Sequence, residues 1–174
     1  AREADRGEVL ARMVAAQDRI LAEAWENRAQ DLPLETPEEM LILASIVQAE
    51  AGAGELPKVA SVFVNRLRRG QKLEADATVR YGITLGKSKL GRGLRRSELD
   101  KPTPYNTYTI PALPPTPIGN PGKAAIEAVA NPDETDYLFF VADGTGGHAF
   151  AKTYDEHLRN VAVWREIERS RQSE

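Results

Sequence analysis

The chain has 174 residues, of which 41% are hydrophobic, so it can bury one substantial core but is too short for two large domains. Its 23 basic and 26 acidic side chains nearly balance, which argues against wholesale nucleic-acid binding. The absence of cysteine excludes disulfides, thiol catalysis and cysteine-based metal sites.

The first 33 residues read as a helical arm. Apolar residues recur near helical spacing from Val9 to Ala29, and Asp31-Leu-Pro33 ends the pattern. We therefore predict an N-terminal helix and linker over residues 1–33, followed by one main domain over residues 34–174.

Two helices with clear end signals open the main domain. Thr36-Pro-Glu-Glu39 has the order of a capping box with proline at the first helical position, so a helix is predicted to begin at Pro37 and to end near Gly52. Apolar positions from Leu56 to Arg69 predict a second helix. The short Gly-rich link between them favours packing of the two helices as a hairpin.

The remaining elements are predicted to be shorter. The segment 102–121 holds seven of the eleven prolines, so it cannot form a regular helix and should be an ordered, extended wall or loop. With a small antiparallel hairpin near the C-terminus, the fold class is α+β and helix-rich. The other elements, in chain order, are a strand or ribbon over Leu73–Ile83, a mobile basic loop over Gly86–Gly93, a short helix over Gly122–Ala130, hairpin strands over Asp136–Ala142 and His148–Lys152, and a closing helix over Tyr154–Arg169.

Glu50 is the most informative single residue, because it lies at the C-terminal end of an apolar helical stripe. At ~100° per residue, Ile46 and Val47 lie within about 60° of Glu50, whereas Ser45 and Gln48 face the other way. A glutamate that is partly removed from water can hold a proton near neutrality and act as a general acid. The alternative is an exposed or salt-bridged carboxylate in a frayed last turn.

Five blocks of the sequence, in order, resemble the endolytic murein transglycosylase family, the YceG-like proteins. They are ASIVQAEAG, KVASVFVNRL, LEADATVRYGI, PTPYNTYTIPALPPTPIGNPG and LFFVADGTGGHAF, and the resemblance covers about Pro37 to Trp164. It implies that residues 34–174 are a catalytic domain that cleaves the β-1,4 bond between N-acetylmuramic acid and N-acetylglucosamine within peptidoglycan strands and leaves 1,6-anhydro ends.

The resemblance also assigns residues. Glu50 matches the catalytic glutamate of the family. Many members carry a second acid two positions earlier, where this chain has Gln48, so one carboxylate remains in the motif. Members commonly carry an N-terminal transmembrane helix and a LysM-like domain, and neither is visible in this sequence, so we expect any such segment to lie upstream.

The stretch Pro104-Tyr-Asn-Thr-Tyr108 supplies most of the substrate-binding candidates. Its ring faces, hydroxyls and amide suit a sugar that presents CH faces and N-acetyl groups, although a rigid turn with core tyrosines would read the same way. Asn65 and Arg66 could support the site or lie on the helix surface. The full set of substrate-binding candidates is Asp76, Thr78, Tyr81, Tyr105, Asn106, Thr107 and Tyr108.

Glycosidases ordinarily use two carboxyl groups. A lytic transglycosylase instead takes its nucleophile from the substrate, so Glu50 alone could serve as acid and then base, and no metal or cofactor is implied. Two alternatives stay open. One is a water-using muramidase with Asp76 as its second carboxylate, and the other is a peptidoglycan-binding module without turnover.

Other chemistries receive little support. The run Asp143-Gly-Thr-Gly-Gly-His148 resembles a phosphate loop but joins two predicted strands, which favours a tight hairpin. His148 and His157 are the only histidines and lack zinc-enzyme spacing, and no serine has the spacing of a nucleophile elbow. We expect His148 to anchor the hairpin or to edge the cleft.

Charge and hydropathy bear on partners and location. Residues 66–101 hold eleven basic and four acidic side chains, which reads either as a solvated face or as a surface for a polyanion such as peptidoglycan stem-peptide carboxylates. Tyr81 is the only aromatic there, which argues against nucleic acid. No run approaches the ~18 apolar residues of a membrane span, and Ala1–Leu10 lacks a signal-peptide layout. The periplasmic face of the inner membrane and cell-wall synthase partners are therefore implied by the family alone.

Overall fold

Seven helices and one two-stranded antiparallel sheet make up the part of the chain that this computed structural model describes, residues 5–52 and 54–172. The predicted helix-rich α+β class is confirmed. Residues 1–4 of the predicted arm, Ala53 of the Gly-rich link and the last two residues of the main domain lie outside the described residues. The elements are α1 (Arg6–Glu26), α2 (Pro37–Glu50), α3 (Leu56–Arg68), α4 (Asp76–Thr84), α5 (Arg96–Leu99), α6 (Lys123–Ala130), β1 (Phe139–Ala142), β2 (His148–Ala151) and α7 (Tyr154–Gln172).

Helix α2 forms the centre of the core, packed against α1, α3 and α6. It begins as predicted: the Thr36 Oγ1 accepts a hydrogen bond from the Glu39 amide at 3.2 Å, and Pro37 occupies the first turn. Most of its apolar side chains are buried, and Leu43 and Ile46 are fully so. Each such side chain contributes about 1.5–3 kcal/mol on leaving water, so burial rather than helix propensity fixes the position of α2.

The prediction that Ser45 faces away from the core is wrong. Ser45 is buried because the proline-rich segment crosses that side of α2. Its Oγ donates to the Ile42 carbonyl at 2.7 Å and accepts from the Ile118 amide at 3.0 Å, so the hydroxyl is fully used. Gln48 stays exposed, and its Oε1 accepts from the Gly122 amide at 3.3 Å.

The predicted strand over Leu73–Ile83 is also wrong, since most of it forms α4. Leu73 and Ala75 alternate with exposed residues in a short non-helical stretch, and this alternation explains the strand prediction. The helix that follows has no side-chain cap of its own, because Ala75 is its N-cap residue. The Glu50 Oε1, from α2, accepts the amide proton of Ala77 at 2.8 Å in its place.

The other predicted helices and the two hairpin strands are confirmed with shifted ends, and the mobility of the basic loop over Gly86–Gly93 stays a prediction. Helix α1 begins and ends three residues earlier than predicted, and its Ala24 is buried in the core against α6. The division into an arm and a main domain at residue 33 stays a prediction. Residues 102–121 contain no helix or strand, and β1 pairs with β2 so that Phe140 lies opposite Phe150. Within residues 5–52 and 54–172, no helix is both long and apolar enough to cross a membrane.

Candidate active site

Glu50 is the last residue of α2 and lines a cleft of about 430 Å³ between α3, α4 and the β1–β2 hairpin. Its side chain is partly buried, and its Oε1 accepts the Ala77 amide at 2.8 Å. Burial raises the pKa of the Glu50 carboxyl above its ordinary value, and the nearby Asp76 carboxylate adds to the rise, while the Ala77 hydrogen bond opposes it. The geometry therefore gives a carboxyl group that retains its proton above the usual pH range.

Asp76 and Tyr108 stand beside Glu50 on one wall of the cleft. The Tyr108 hydroxyl donates to the Asp76 Oδ1 at 2.8 Å, and the Asp76 Oδ2 lies 3.9 Å from the Arg80 guanidinium. Burial, followed by the charge of Asp76, raises the pKa of Tyr108 far above its ordinary value. Tyr108 therefore remains a hydrogen-bond donor that fixes the orientation of the Asp76 carboxylate.

The base of the cleft is held by Arg66, which supports the site from below instead of lying on the helix surface. Arg66 is 7% exposed, and its guanidinium donates to the Leu138 carbonyl at 2.7 Å and the Lys72 carbonyl at 2.6 Å. It also pairs with the Glu74 carboxylate at 2.9 Å. Asn65 performs a similar function for the chain before β1, through its Nδ2 bonds to two backbone carbonyls.

Three of the predicted binding residues, Thr78, Asn106 and Thr107, are buried and already hydrogen-bonded within the protein. The Thr78 and Thr107 hydroxyls lie 2.8 Å apart, and the Thr107 Oγ1 accepts the Ala75 amide at 2.9 Å. The Asn106 Nδ2 donates to the carbonyls of residues 98, 99 and 101, and its Oδ1 accepts the Tyr108 amide. The two threonines join α4 to the proline-rich segment and Asn106 joins that segment to the end of α5, so these side chains support the cleft wall from within.

His148 ties the hairpin to the loop that follows Glu50, in line with the anchoring role expected from the sequence. Its Nδ1 lies 2.8 Å from the Glu55 Oε2, and its amide donates to the Glu55 Oε1 at 3.0 Å. A Cβ at Gly52 would lie 2.8 Å from the Gly146 carbonyl oxygen, so glycine is required for this close approach. The run from Asp143 is a hairpin turn, in which the Asp143 Oδ1 accepts the Thr145 amide at 2.7 Å.

A model described as the YceG-like family matches residues 1–163. The chain belongs to this family. It is 42% identical over 120 residues, which is 68% of this chain and 32% of the relative, to a Bacillus subtilis protein named endolytic murein transglycosylase. It is 34% identical over 158 residues, 86% of this chain and 27% of the relative, to a protein of the same name from Streptococcus pneumoniae.

The fold agrees with a solved member of the family. A crystal structure of a yceG-like protein from Listeria monocytogenes superposes with a TM-score of 0.76 at 31% identity, covering 91% of this chain and 50% of that one. This chain thus spans about a third or less of the length of the curated relatives that it matches.

In this YceG-like chain, Tyr81 and Tyr105 are placed away from the cleft of Glu50. Their rings pack edge to face with centroids 5.0 Å apart, and the Tyr105 hydroxyl lies 2.8 Å from the Thr116 Oγ1. Tyr81 lines a second groove of about 540 Å³, together with Arg80, Lys89 and further residues of α2 and α4. A larger cavity, of about 750 Å³ beside residues 131–137, contains none of the predicted site residues.

The cleft residues that were not predicted include Glu74, Phe139, Tyr154 and His157. Glu74 had one available signal, because residues two apart in an extended stretch share a face and Asp76 follows it at that spacing. The other three depend on how the hairpin and α7 pack. In the described ranges, no three histidine or acidic side chains converge as a metal site would require.

We expect Glu50→Gln to be more stable than the parent at neutral pH. With its pKa raised by folding, the Glu50 carboxyl binds its proton more tightly in the folded protein than in the unfolded chain. Its ionisation therefore costs stability as the pH rises from the ordinary glutamate pKa to the raised one. Urea unfolding of both proteins should show this advantage near pH 7 and its loss below about pH 4. Equal stabilities at both pH values would contradict the raised pKa.

We expect Asn106→Ala to lower the free energy of unfolding by about 2–4 kcal/mol, because buried carbonyls left without a donor cost ~1–3 kcal/mol. The folded fraction should keep its specific activity. Tyr105→Phe is the matched control in the same stretch, since it removes one exposed hydroxyl contact and should cost less than about 1 kcal/mol. Denaturant titrations measure both, and a normal melting curve with lost activity for Asn106→Ala would restore it as a binding residue.

Proposed function

We propose that this chain is the catalytic domain of an endolytic peptidoglycan lytic transglycosylase. It would cleave the β-1,4 bond between N-acetylmuramic acid and N-acetylglucosamine inside glycan strands and leave 1,6-anhydro ends, which trims or terminates nascent strands. The names of the related proteins support the reaction class. The observation that carries the proposal is Glu50, a partly buried carboxyl with a raised pKa at the edge of an open cleft.

Glu50 would act first as an acid and then as a base. Its proton passes to the glycosidic oxygen as the bond from that oxygen to C1 of the muramic acid breaks. The Glu50 carboxylate then takes the proton of the C6 hydroxyl while that oxygen attacks C1, which closes the anhydro ring and restores the protonated carboxyl. Water is neither consumed nor released, so a single carboxyl group suffices.

Asp76 and Tyr108 are proposed to bind the substrate beside Glu50. The Asp76 carboxylate, oriented by Tyr108, would stabilise the positive charge that develops at C1. Thr78, Asn106 and Thr107 are proposed to preserve the shape of this wall. Tyr81 would contact the strand only if the strand extends into the second groove, and Tyr105 would support the Tyr81 ring there.

A water-using muramidase is the second candidate, because Asp76 shares the cleft with Glu50 and could activate water. Asp76→Asn should slow either enzyme, because lost charge stabilisation costs about 10²- to 10³-fold in kcat and a lost general base about 10²- to 10⁴-fold. The products separate the two candidates, since a transglycosylase leaves anhydro ends and a muramidase leaves reducing ends. Mass analysis of the ends made by the parent and by Asp76→Asn measures this, and Arg80→Gln is the control for loss of the neighbouring charge.

The cellular setting is also part of the proposal. The relatives' names support an envelope location, and we place the domain on the extracytoplasmic face of the inner membrane, held by segments upstream of this chain and working beside cell-wall synthases. The first experiment is digestion of purified sacculi by this chain. Release of shortened strands would support turnover, and retention of strands without cleavage would favour a binding module.

A further inference from the structure

One wall of the Glu50 cleft has no role in the proposed acid and base steps. It is built from Phe139 on β1 and from Tyr154 and His157 in the first turn of α7. The Phe139 and His157 rings are stacked with centroids 5.1 Å apart and planes at 21°, and the Tyr154 ring lies 5.9 Å from that of Phe139. We call these three side chains the aromatic wall.

The aromatic wall is fixed from beneath but open to solvent at its edge. The Arg66 guanidinium lies 5.1 Å from the Phe139 ring, so the group that holds the base of the cleft also positions this ring. Tyr154, in contrast, is 61% exposed, although it carries one of the largest apolar surfaces in the chain. Packing therefore does not account for an aromatic residue at this position.

Two polar atoms of the aromatic wall also lack partners in the described part of the chain. The Nδ1 of His157 is buried without a hydrogen bond, which ordinarily costs stability. The Tyr154 hydroxyl has no hydrogen bond to any described residue. Burial, and then the positive charge of Arg66, lower the pKa of His157, so its ring is neutral at neutral pH and can donate from one nitrogen and accept at the other.

The same cleft is also lined by polar side chains, those of Glu50, Asp76 and Tyr108. A pyranose ring has a matching asymmetry, because its CH groups form apolar faces and its hydroxyl and N-acetyl groups project from its edge. Aromatic faces bind the former, and a few placed polar groups bind the latter.

We propose that the aromatic wall is a sugar-binding subsite in which the exposed Tyr154 ring stacks on one N-acetylhexosamine ring next to the scissile bond, with the His157 imidazole and the Tyr154 hydroxyl bonded to the edge of the sugar. This inference rests on the proposed function for the identity of the sugar. The aromatic wall positions the strand across Glu50 and takes no part in proton transfer, so its loss should raise KM more than it lowers kcat.

The test compares Tyr154→Ala and Tyr154→Phe with Val163→Ala, a control that is equally exposed on α7 but outside the cleft. We expect Tyr154→Ala to raise KM on peptidoglycan strands by about 2- to 12-fold, the range of one aromatic contact, and Tyr154→Phe to retain the stacking part of that effect. Because Tyr154 is exposed, the melting temperature should not change for any of the three.

His157 is tested in the same way. His157→Gln keeps a group that can donate and accept, so its KM should stay within about 2-fold of the parent value. His157→Leu fills the space but removes the polar atom, and its KM should rise about 5-fold or more, the effect of one lost hydrogen bond. Equal KM values for the two variants would remove the hydrogen bond from the proposal.

Binding measurements in a Glu50→Gln background separate this inference from the proposed function. The probes are purified peptidoglycan strands and soluble oligomers of N-acetylglucosamine. Weaker binding by the Tyr154→Ala double variant, together with unchanged binding by the Val163→Ala double variant, supports the sugar-binding role of the aromatic wall even if the parent proves not to cleave. If the parent cleaves strands and Tyr154→Ala matches Val163→Ala in both KM and binding, the sugar-binding role of the aromatic wall is wrong and the proposed function stands. If the Glu50→Gln protein binds neither probe, the inference is overturned as well.

Discussion

Replacing Glu50 by Gln should reduce the rate of strand cleavage by about 10²- to 10⁴-fold, the range that one general acid or base contributes. The glutamine retains the size of the side chain and can still accept the Ala77 amide, so the cap on α4 is preserved. What is lost is the proton itself, which Glu50 would donate to the glycosidic oxygen and later recover. Release of soluble fragments from purified sacculi, followed over time, measures the loss.

Glu38→Gln is the control for this change. It makes the same substitution at the first turn of α2, where the side chain is exposed and far along the helix from the cleft. It should digest sacculi at the parent rate. If Glu50→Gln also keeps the parent rate, the assignment of Glu50 as the acid is wrong, whatever its pKa.

Arg66→Met should give the largest loss of stability among the variants considered. It leaves the carbonyls of Leu138 and Lys72 without their donor and separates the Glu74 carboxylate from its partner. Carbonyls left without a donor cost ~1–3 kcal/mol each and the half-exposed Glu74 carboxylate adds little, so we expect a loss of about 3–5 kcal/mol. At ~2–4 °C per kcal/mol for a chain of this size, the melting temperature should fall by roughly 6–20 °C.

Arg68→Met is the matched control, two residues further along α3. Its guanidinium pairs with Asp31 at the surface, where the two side chains are 38% and 76% exposed, and such pairs contribute about 0–1 kcal/mol. Thermal melts of the two variants should therefore differ by several degrees. Equal melting temperatures would mean that Arg66 is replaceable by an apolar side chain and does not hold the base of the cleft.

The parts of the fold that depend on neighbours in sequence were predictable. The start of α2 follows from Thr36 and Pro37, and the end of α3 from Gly70, since caps and breakers act over one turn. Helix α4 was mistaken for a strand because its N-terminal amide is capped by Glu50, which lies 27 residues earlier in the chain. No local pattern reports a cap that is supplied by another helix.

The candidate site was likewise predictable only where it depends on local sequence. The apolar stripe of α2 and the family resemblance together single out Glu50, and in the structure Glu50 lines a cleft. Residue type could not show that Asn106 and Thr107 form their hydrogen bonds with other groups of the protein, since the same amide and hydroxyl would suit a sugar. The sequence places Tyr154 in a closing helix and shows His157 only as a histidine without zinc-enzyme spacing, because the side that faces the cleft is set by the packing of α7 on the hairpin.

The central claim is that Glu50 cleaves the strand without water, and mass analysis of the products tests it most directly. Sacculi are digested by this chain in water labelled with oxygen-18, and the new strand ends are weighed. The account predicts ends that are lighter than hydrolysed ends by one water and that contain no label. Labelled reducing ends would contradict it, because they would show that water, not the C6 hydroxyl of the muramic acid, attacked C1.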